Sequence, residues 1–343
     1  MKVAFDVMGS DYGSLPAIVA ALQVVNEFKN VDIVLVGDEA QIKGNLQTLL
    51  KNKPIPSSLT IKGTTQVITM NDGPLAGIRM TNSSMSQAIQ LVKKNEVDGI
   101  LTSGSTAAYL GTCHFLLGEI KGIKRPAFMP IMPTLIKDQQ VVLLDVGASI
   151  ENTVDDLINF ALMAHIYCQT IQSISRPKIG LLNIGTEENK GPEVTKATYA
   201  KLKALTQSDG KLSFLNFHGN IEPRNVLSGE VDIIICDGYS GNIVLKSVEG
   251  MASLLFTLIK NGYKKNIFTK LVGLLSLNIF KNIKTTFDYK NTGGAQLIGI
   301  NGIAFKAHGS SDKKSYYSTL KLLIRAIEQD VTNKITKQIE ALS

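Results

Sequence analysis

Six times in this chain an apolar stretch stops at a cluster of Gly, Ser, Thr, Asn and Asp, after which a helical pattern usually resumes. The clusters are Asp6-Val7-Met8-Gly9-Ser10-Asp11, Thr102-Ser103-Gly104-Ser105-Thr106, Asp145-Val146-Gly147-Ala148-Ser149, Asn183-Ile184-Gly185-Thr186, His218-Gly219-Asn220 and Asp237-Gly238-Tyr239-Ser240-Gly241-Asn242. Preceding stretches such as Val141–Leu144 and Ile233–Ile235 are apolar on both faces, as strands buried in a parallel sheet must be. If the strands belong to one sheet, all six turns gather along its carboxyl edge, where open α/β sheets bind ligands. Glycine lets the backbone come close there, and the following helix N-termini offer unpaired N–H groups to an anion. The sequence therefore predicts a phosphate-type site shared among many loops.

Strands are expected at Lys2–Asp6, Asp32–Gly37, Val97–Thr102, Ala127–Met132, Val141–Val146, Lys178–Ile184, Leu212–Phe217 and Val231–Asp237. Helices are expected at Leu15–Asn30, Ser83–Asn95, Thr106–Leu117, Asp155–Ser175, Pro192–Ser208, Asn242–Lys260 and Ser315–Leu342. Steady alternation with short connections gives a doubly wound, mostly parallel, three-layer α/β/α fold. No Pro/Ser-rich linker divides the chain, so residues 1–343 read as one catalytic unit.

One segment departs from this rhythm. Between Leu254 and Lys290 stand seven lysines and one acid, Asp288, so nearly all of the net charge of +7 lies there. Phe268, Leu271, Val272, Leu275, Ile279, Phe280 and Ile283 recur at spacings of three and four, with Lys270, Lys281 and Lys284 largely elsewhere around the helix. The segment at about 254–285 is thus an inserted amphipathic helix or helix pair with a basic polar face. Its apolar side packs on the domain or a second subunit, or it meets a membrane surface.

No segment reads as a transmembrane helix, and Asp6 interrupts the N-terminal apolar stretch too early for a signal peptide. Cys113, Cys168 and Cys236 read as buried, reduced thiols. The four histidines lack metal-ligand spacing, so no metal is expected. GxGxxG, GxxxxGK[ST], GxSxG, HExxH and CxxC are all absent, and with the first of them goes the fingerprint of a nucleotide-binding dehydrogenase.

The turns occur in a specific order. Met8-Gly9-Ser10-Asp11, Arg79 with Ser83-Ser84-Met85, Gly104-Ser105-Thr106, Arg125-Pro126 and Asp145-Val146-Gly147-Ala148 precede the long run from Leu181 to Gly191. After it come Gly219-Asn220-Ile221-Glu222, the run from Cys236 to Lys246, Glu249-Gly250, Gly293-Gly294-Ala295 and His308-Gly309-Ser310-Ser311. This order closely resembles the PlsX family of bacterial phosphate acyltransferases, from residue 1 to about 330. The resemblance implies transfer of a fatty acyl group from acyl carrier protein to inorganic phosphate, in phospholipid synthesis. It further implies a fold like that of phosphate acetyltransferases and isocitrate-type dehydrogenases, a homodimer, and a cytoplasmic enzyme peripherally attached to the membrane. No cofactor and no nucleic acid enter. The attachment element would be the basic segment, with Lys270, Leu271, Leu275 and Ile279.

A thioester is already activated, so phosphate can attack it directly. The protein has to bring two anionic partners together, stabilise the oxyanion and help the thiolate leave. Gly104, Ser105 and Thr106, opening a helix, suit phosphate or form an ordinary cap; Ser149 has the same two readings. Lys190, in a polar loop, either neutralises phosphate and donates to the oxyanion or sulfur, or is a solvated lysine. Asn242 and Lys246, four apart near a helix N-terminus, share one face. Asn220 and Asp237 orient substrate or stabilise their turns. His218 and His308 are candidate acids, and Arg79 is a candidate bidentate phosphate ligand or a surface ion-pair partner. Two rivals stand beside this reading: a short-chain phosphotransacetylase acting on acyl-CoA, and a non-catalytic scaffold that binds carrier protein or membrane.

Overall fold

The computed structural model describes residues 1–51, 53–287 and 293–342, without the side chains of 282 and 284–287. The Lys284 side chain, Asp288 and Lys290 of the basic run therefore lie outside the described residues. The chain begins with β1 (Lys2–Asp6), α1 (Leu15–Glu27), β2 (Asp32–Gly37), α2 (Glu39–Leu50), β3 (Leu59–Gly63), α3 (Ala76–Arg79), α4 (Ser84–Lys93), β4 (Gly99–Thr102) and α5 (Thr106–Leu117). It continues with β5 (Ala127–Met129), β6 (Ile131–Pro133), β7 (Gln140–Leu144), α6 (Val154–Tyr167), β8 (Lys178–Leu182), α7 (Glu193–Leu205), β9 (Asn216–Ile221) and β10 (Ile233–Ile235). Then follow α8 (Gly238–Lys264), α9 (Ile267–Leu275), α10 (Leu277–Phe287), β11 (Ala295–Ile298), β12 (Ile303–Lys306), α11 (Lys313–Glu328) and α12 (Val331–Leu342).

The architecture is three-layer α/β/α, but its strands form two sheets rather than one. A seven-stranded sheet runs β3-β2-β1-β4-β12-β11-β5 and a five-stranded sheet runs β6-β7-β10-β8-β9. Both are parallel at their centres, with β11 antiparallel to its neighbours in the first and β6 antiparallel at the edge of the second. The single strand expected over Ala127–Met132 is where the sheets part. Pro130 has no N–H to give a ladder, so β5 ends in one sheet and β6 opens the other. Of the six polar clusters, two consequently lie on the first sheet and four on the second.

Local chemistry accounts for other departures. The strand expected at Leu212–Phe217 lies later, at Asn216–Ile221, and runs through the His218-Gly219-Asn220 cluster. Gly219 takes φ +109°, and the β8–β9 register slips there, so the cluster is a bulge inside a strand and not a turn. The helix expected over Ser315–Leu342 breaks between α11 and α12, where Asp330 has φ +53°. The three cysteines are free and buried, as expected.

Asp145, fully buried at the end of β7, links the sheets. Its carboxylate accepts the N–H of Phe128 on β5 at 2.8 Å, and also those of Gly147, Ala148 and Ser149 at 2.8–3.2 Å. The Ser149 carbonyl then accepts Gly238 N–H at the start of α8. Gly238 and Gly241 are required there, because a Cβ on either would lie 2.5 Å or less from Asp145 or Ser149 atoms. One carboxylate thus sets β5, the β7 turn and the α8 N-terminus.

The α8 helix is, among the described residues, long and apolar enough to cross a membrane, against the expectation that no segment is. Its C-terminal half carries α9 and α10 through Phe280, whose ring meets Phe256 at 5.6 Å and Tyr263 at 6.3 Å, and through Gly273 against Tyr263. The segment is a helix pair, broken at Ser276, and most of its apolar face is uncovered: Phe268 is 78% exposed, Leu275 79% and Ile279 66%. Within the chain that face does not pack on the domain.

Asp145→Ala would leave four N–H groups without their acceptor, three of them in the turn that starts the site. It is expected to cost about 3 kcal/mol or more. Chemical denaturation checks this, and a loss under about 1 kcal/mol would contradict the role given to this carboxylate.

Candidate active site

A cleft of about 1160 Å³ opens between the carboxyl ends of the two sheets. The first sheet contributes Lys306, Ala307 and His308 at the end of β12, and Thr106 and Ala107 at the start of α5. The second contributes Val146 to Ile150 after β7, and Asn242 and Lys246 on α8. Asn242 lies over the Gly147 turn, where a Cβ on Gly147 would stand 3.6 Å from its side-chain carbon. Leu110, Phe128, Ile131, Met132, Leu227 and Leu245 supply apolar lining. A charged end joined to a long apolar wall suits an amphiphilic substrate.

The charged end is built around Lys306. It pairs in register with Thr102 of β4, and the Thr102 hydroxyl donates to Asp6 on β1 at 2.7 Å. Burial lowers the Lys306 ammonium to about 8, with Asp6 opposing that and the charge of Lys246 adding to it. Burial likewise pushes the Asp6 carboxyl up to about 6, while the Thr102 hydrogen bond pulls it down. Partial burial, and then the Lys246 charge, hold His308 below the ordinary histidine value. Lys246 forms an ion pair with Glu249 at 2.7 Å. The two ammonium groups repel each other and oppose protonation of the His308 imidazole, and an anion between them would relieve that repulsion.

Backbone donors are less available than the glycine clusters suggest. The N–H groups of Gly147, Ala148 and Ser149 are taken by Asp145, which leaves only the Ser149 hydroxyl for a ligand. The Ser105 hydroxyl accepts Ala108 N–H as the α5 cap and donates to the Asp72 carbonyl. At the first turn of α5, Thr106 and Ala107 line the cleft, and their N–H groups lie beyond the reach of intrahelical acceptors.

Of the residues singled out from sequence, Thr106, Ser149, Asn242, Lys246 and His308 come together in the lining. Gly104 and Ser105 sit directly behind it: a Cβ on Gly104 would come within 3.9 Å of Asp6, and Ser105 caps the helix that lines the cleft. The others are placed elsewhere. Lys190 is exposed on the loop after β8, outside the lining. Asn220 holds that loop by donating to the Glu187 carbonyl at 2.9 Å. His218, pushed out by the bulge in edge strand β9, pairs with Glu230 at 3.0 Å and is not at the cleft. Asp237 caps α8 by accepting Ser240 N–H, and Arg79 is exposed at the end of α3. Sequence reasoning missed Lys306. Its signal was a lysine closing the apolar strand Ile303-Ala304-Phe305 two residues before His308-Gly309. Among the described residues no cluster of three or more metal-ligating side chains occurs.

If Lys306 supplies positive charge to a bound anion, turnover at low phosphate should fall as pH rises above about 8. The direction follows from a lysine losing its proton there. Lys306→Arg, always protonated, should move that fall to higher pH, and Lys306→Met should weaken phosphate use at every pH. An unchanged pH profile in the Arg variant would show that another group titrates.

Residues 1–334 match the protein family described as "Fatty acid synthesis protein". A phosphate acyltransferase from Mycoplasma capricolum is 47% identical, covering 98% of this chain and 97% of its own length. Those from Mesoplasma florum and Clostridium novyi are 46% and 38% identical, each covering at least 98% of both chains. Among solved structures, a phosphotransacetylase from Streptococcus pyogenes superposes with a TM-score of 0.60 at 18% identity, over 96% of this chain and 94% of that one. A 4-hydroxythreonine-4-phosphate dehydrogenase from Klebsiella pneumoniae reaches 0.52 at 12%, over 95% and 97%, so this architecture also occurs among dehydrogenases. The likeness to its relatives spans nearly the whole length, and the chain belongs to the fatty acid synthesis protein family and, within it, to the PlsX phosphate acyltransferases.

Proposed function

We propose that this acyltransferase takes its acyl group from acyl carrier protein, giving acyl phosphate and free carrier thiol, as an early step of phospholipid synthesis. The observation that carries this reading is the shape of the cleft, a long apolar wall ending at Lys246, Lys306 and His308. An acetyl group would leave most of that wall unfilled.

In this reading phosphate lies between Lys306 and Lys246, with the Ser149 hydroxyl and Thr106 as further donors. A phosphate oxygen attacks the thioester carbonyl carbon, the carbonyl electrons move onto oxygen, and the Asn242 amide with the α5 N-terminus stabilises the oxyanion. Collapse breaks the C–S bond, and the thiolate takes a proton from solvent, since burial and the Lys246 charge keep His308 from holding an extra proton. Lys190, exposed on its loop and outside the lining, has no part in this scheme, and neither has His218.

We read the chain as one catalytic unit, because both sheets wall the same cleft, and as a cytoplasmic homodimer attached peripherally to the membrane. The uncovered apolar side chains Leu271, Leu275 and Ile279, beside Lys270, support attachment.

Purified protein given long-chain acyl carrier protein should release thiol only when phosphate is present, and should use acetyl-CoA far more slowly. The opposite donor preference would favour a short-chain phosphotransacetylase, which the fold also accommodates, and no phosphate-dependent release from either donor would leave a scaffold. In the same assay with anionic vesicles, Leu275→Asp with Ile279→Asp should keep thiol release but lose flotation.

A further inference from the structure

The lining of the cleft has a direction. On α8 it includes Asn242, Lys246, Val248, Ala252, Phe256 and Lys260. The lining positions recur at spacings of three and four, so they form one face of the helix. From Asn242 to Lys260 that face is about 27 Å long, at 1.5 Å per residue. Its first turns lie at the charged end, beside the Gly147 turn and Lys306. Ten residues beyond Lys246, about 15 Å along the axis, stands Phe256.

Phe256 is partly buried while Leu254, Leu255 and Leu258 around it are exposed. Its ring meets the edge of Phe280 on α10 at 5.6 Å and an interplanar angle of 85°. Phe280 also lines the cleft and is backed by Tyr263 at 6.3 Å. The two phenylalanines therefore form an aromatic step across the far part of the apolar wall, backed by Tyr263.

We propose that the Phe256–Phe280 pair sets the length of acyl chain that the enzyme accepts. This rests on the reading of the donor as a fatty acyl thioester. Phosphate requires the cations, which puts the thioester carbonyl at the Lys246–Lys306 end. The tail must then leave along apolar lining, which on α8 is supplied by Leu245, Val248, Ala252 and Phe256, about one per turn, beside the polar Glu249 and Ser253. A chain that reaches the step meets two rings instead of open groove. Neither phenylalanine touches the reacting atoms, so replacing them changes which donors fit and not how the chemistry runs.

The test compares kcat/KM for saturated acyl carrier proteins of graded length, at fixed phosphate, for wild type, Phe256→Trp, Phe256→Ala and Phe280→Ala. Phe256→Trp should depress the longest donors by about tenfold or more while sparing short ones. Both alanine variants should shift the optimum toward longer chains. Circular dichroism and retained turnover of the shortest donor show that each variant is folded. If wild type uses long-chain donors and the profile stays fixed in all three variants, the inference is overturned. If wild type turns over no acyl carrier protein at all, the donor reading fails and takes this inference with it.

Discussion

The cleft depends on one buried carboxylate. Asp145 stands where the chain has just passed from one sheet to the other, and it accepts N–H groups from β5 on one side and from its own turn on the other. Because Ser149 in that turn accepts the first N–H of α8, the same anchor aims the helix that carries Asn242 and Lys246. Burial pushes the Asp145 carboxyl up to about 6, against the pull of its N–H partners. The arrangement is therefore held by hydrogen bonds to a carboxyl that has given up its water.

That use of backbone donors decides how an anion can be held. In many α/β proteins a glycine turn and a helix N-terminus cradle phosphate directly. Here the turn after β7 is occupied internally, and the charge must come from side chains. Lys306 and Lys246 arrive from different sheets, so the proposed anion site requires both sheets to be correctly placed. Burial makes the Lys306 ammonium costly to keep charged, a cost that an anion bound beside it would offset.

Much of this was legible in the sequence, and the failures have physical reasons. Runs apolar on both faces marked the parallel strands, because burial on both sides leaves no room for alternation. The two-sheet arrangement was not legible, since a proline inside an apolar run reads equally well as a strand end. His218 looked like a turn residue because Gly219 beside it marks a bulge as strongly as it marks a turn. The i, i+4 spacing of Asn242 and Lys246 placed them on one helix face, and both do line the cleft. Lys306 was not singled out, because its surroundings are set by Thr102 and Asp6, some two hundred or more residues away in sequence but adjacent in the sheet.

The exposed helix pair and the cleft share α8, so the cleft lining and the uncovered apolar face are carried by one helix. The central claim is that the anion lies between the two sheets. A crystal structure with bound phosphate tests it most directly. The account predicts phosphate oxygens within hydrogen-bonding distance of the Lys306 and Lys246 ammonium groups, beside Asn242. Phosphate seated instead against Lys190 and Asn220, with Lys306 uninvolved, would contradict it.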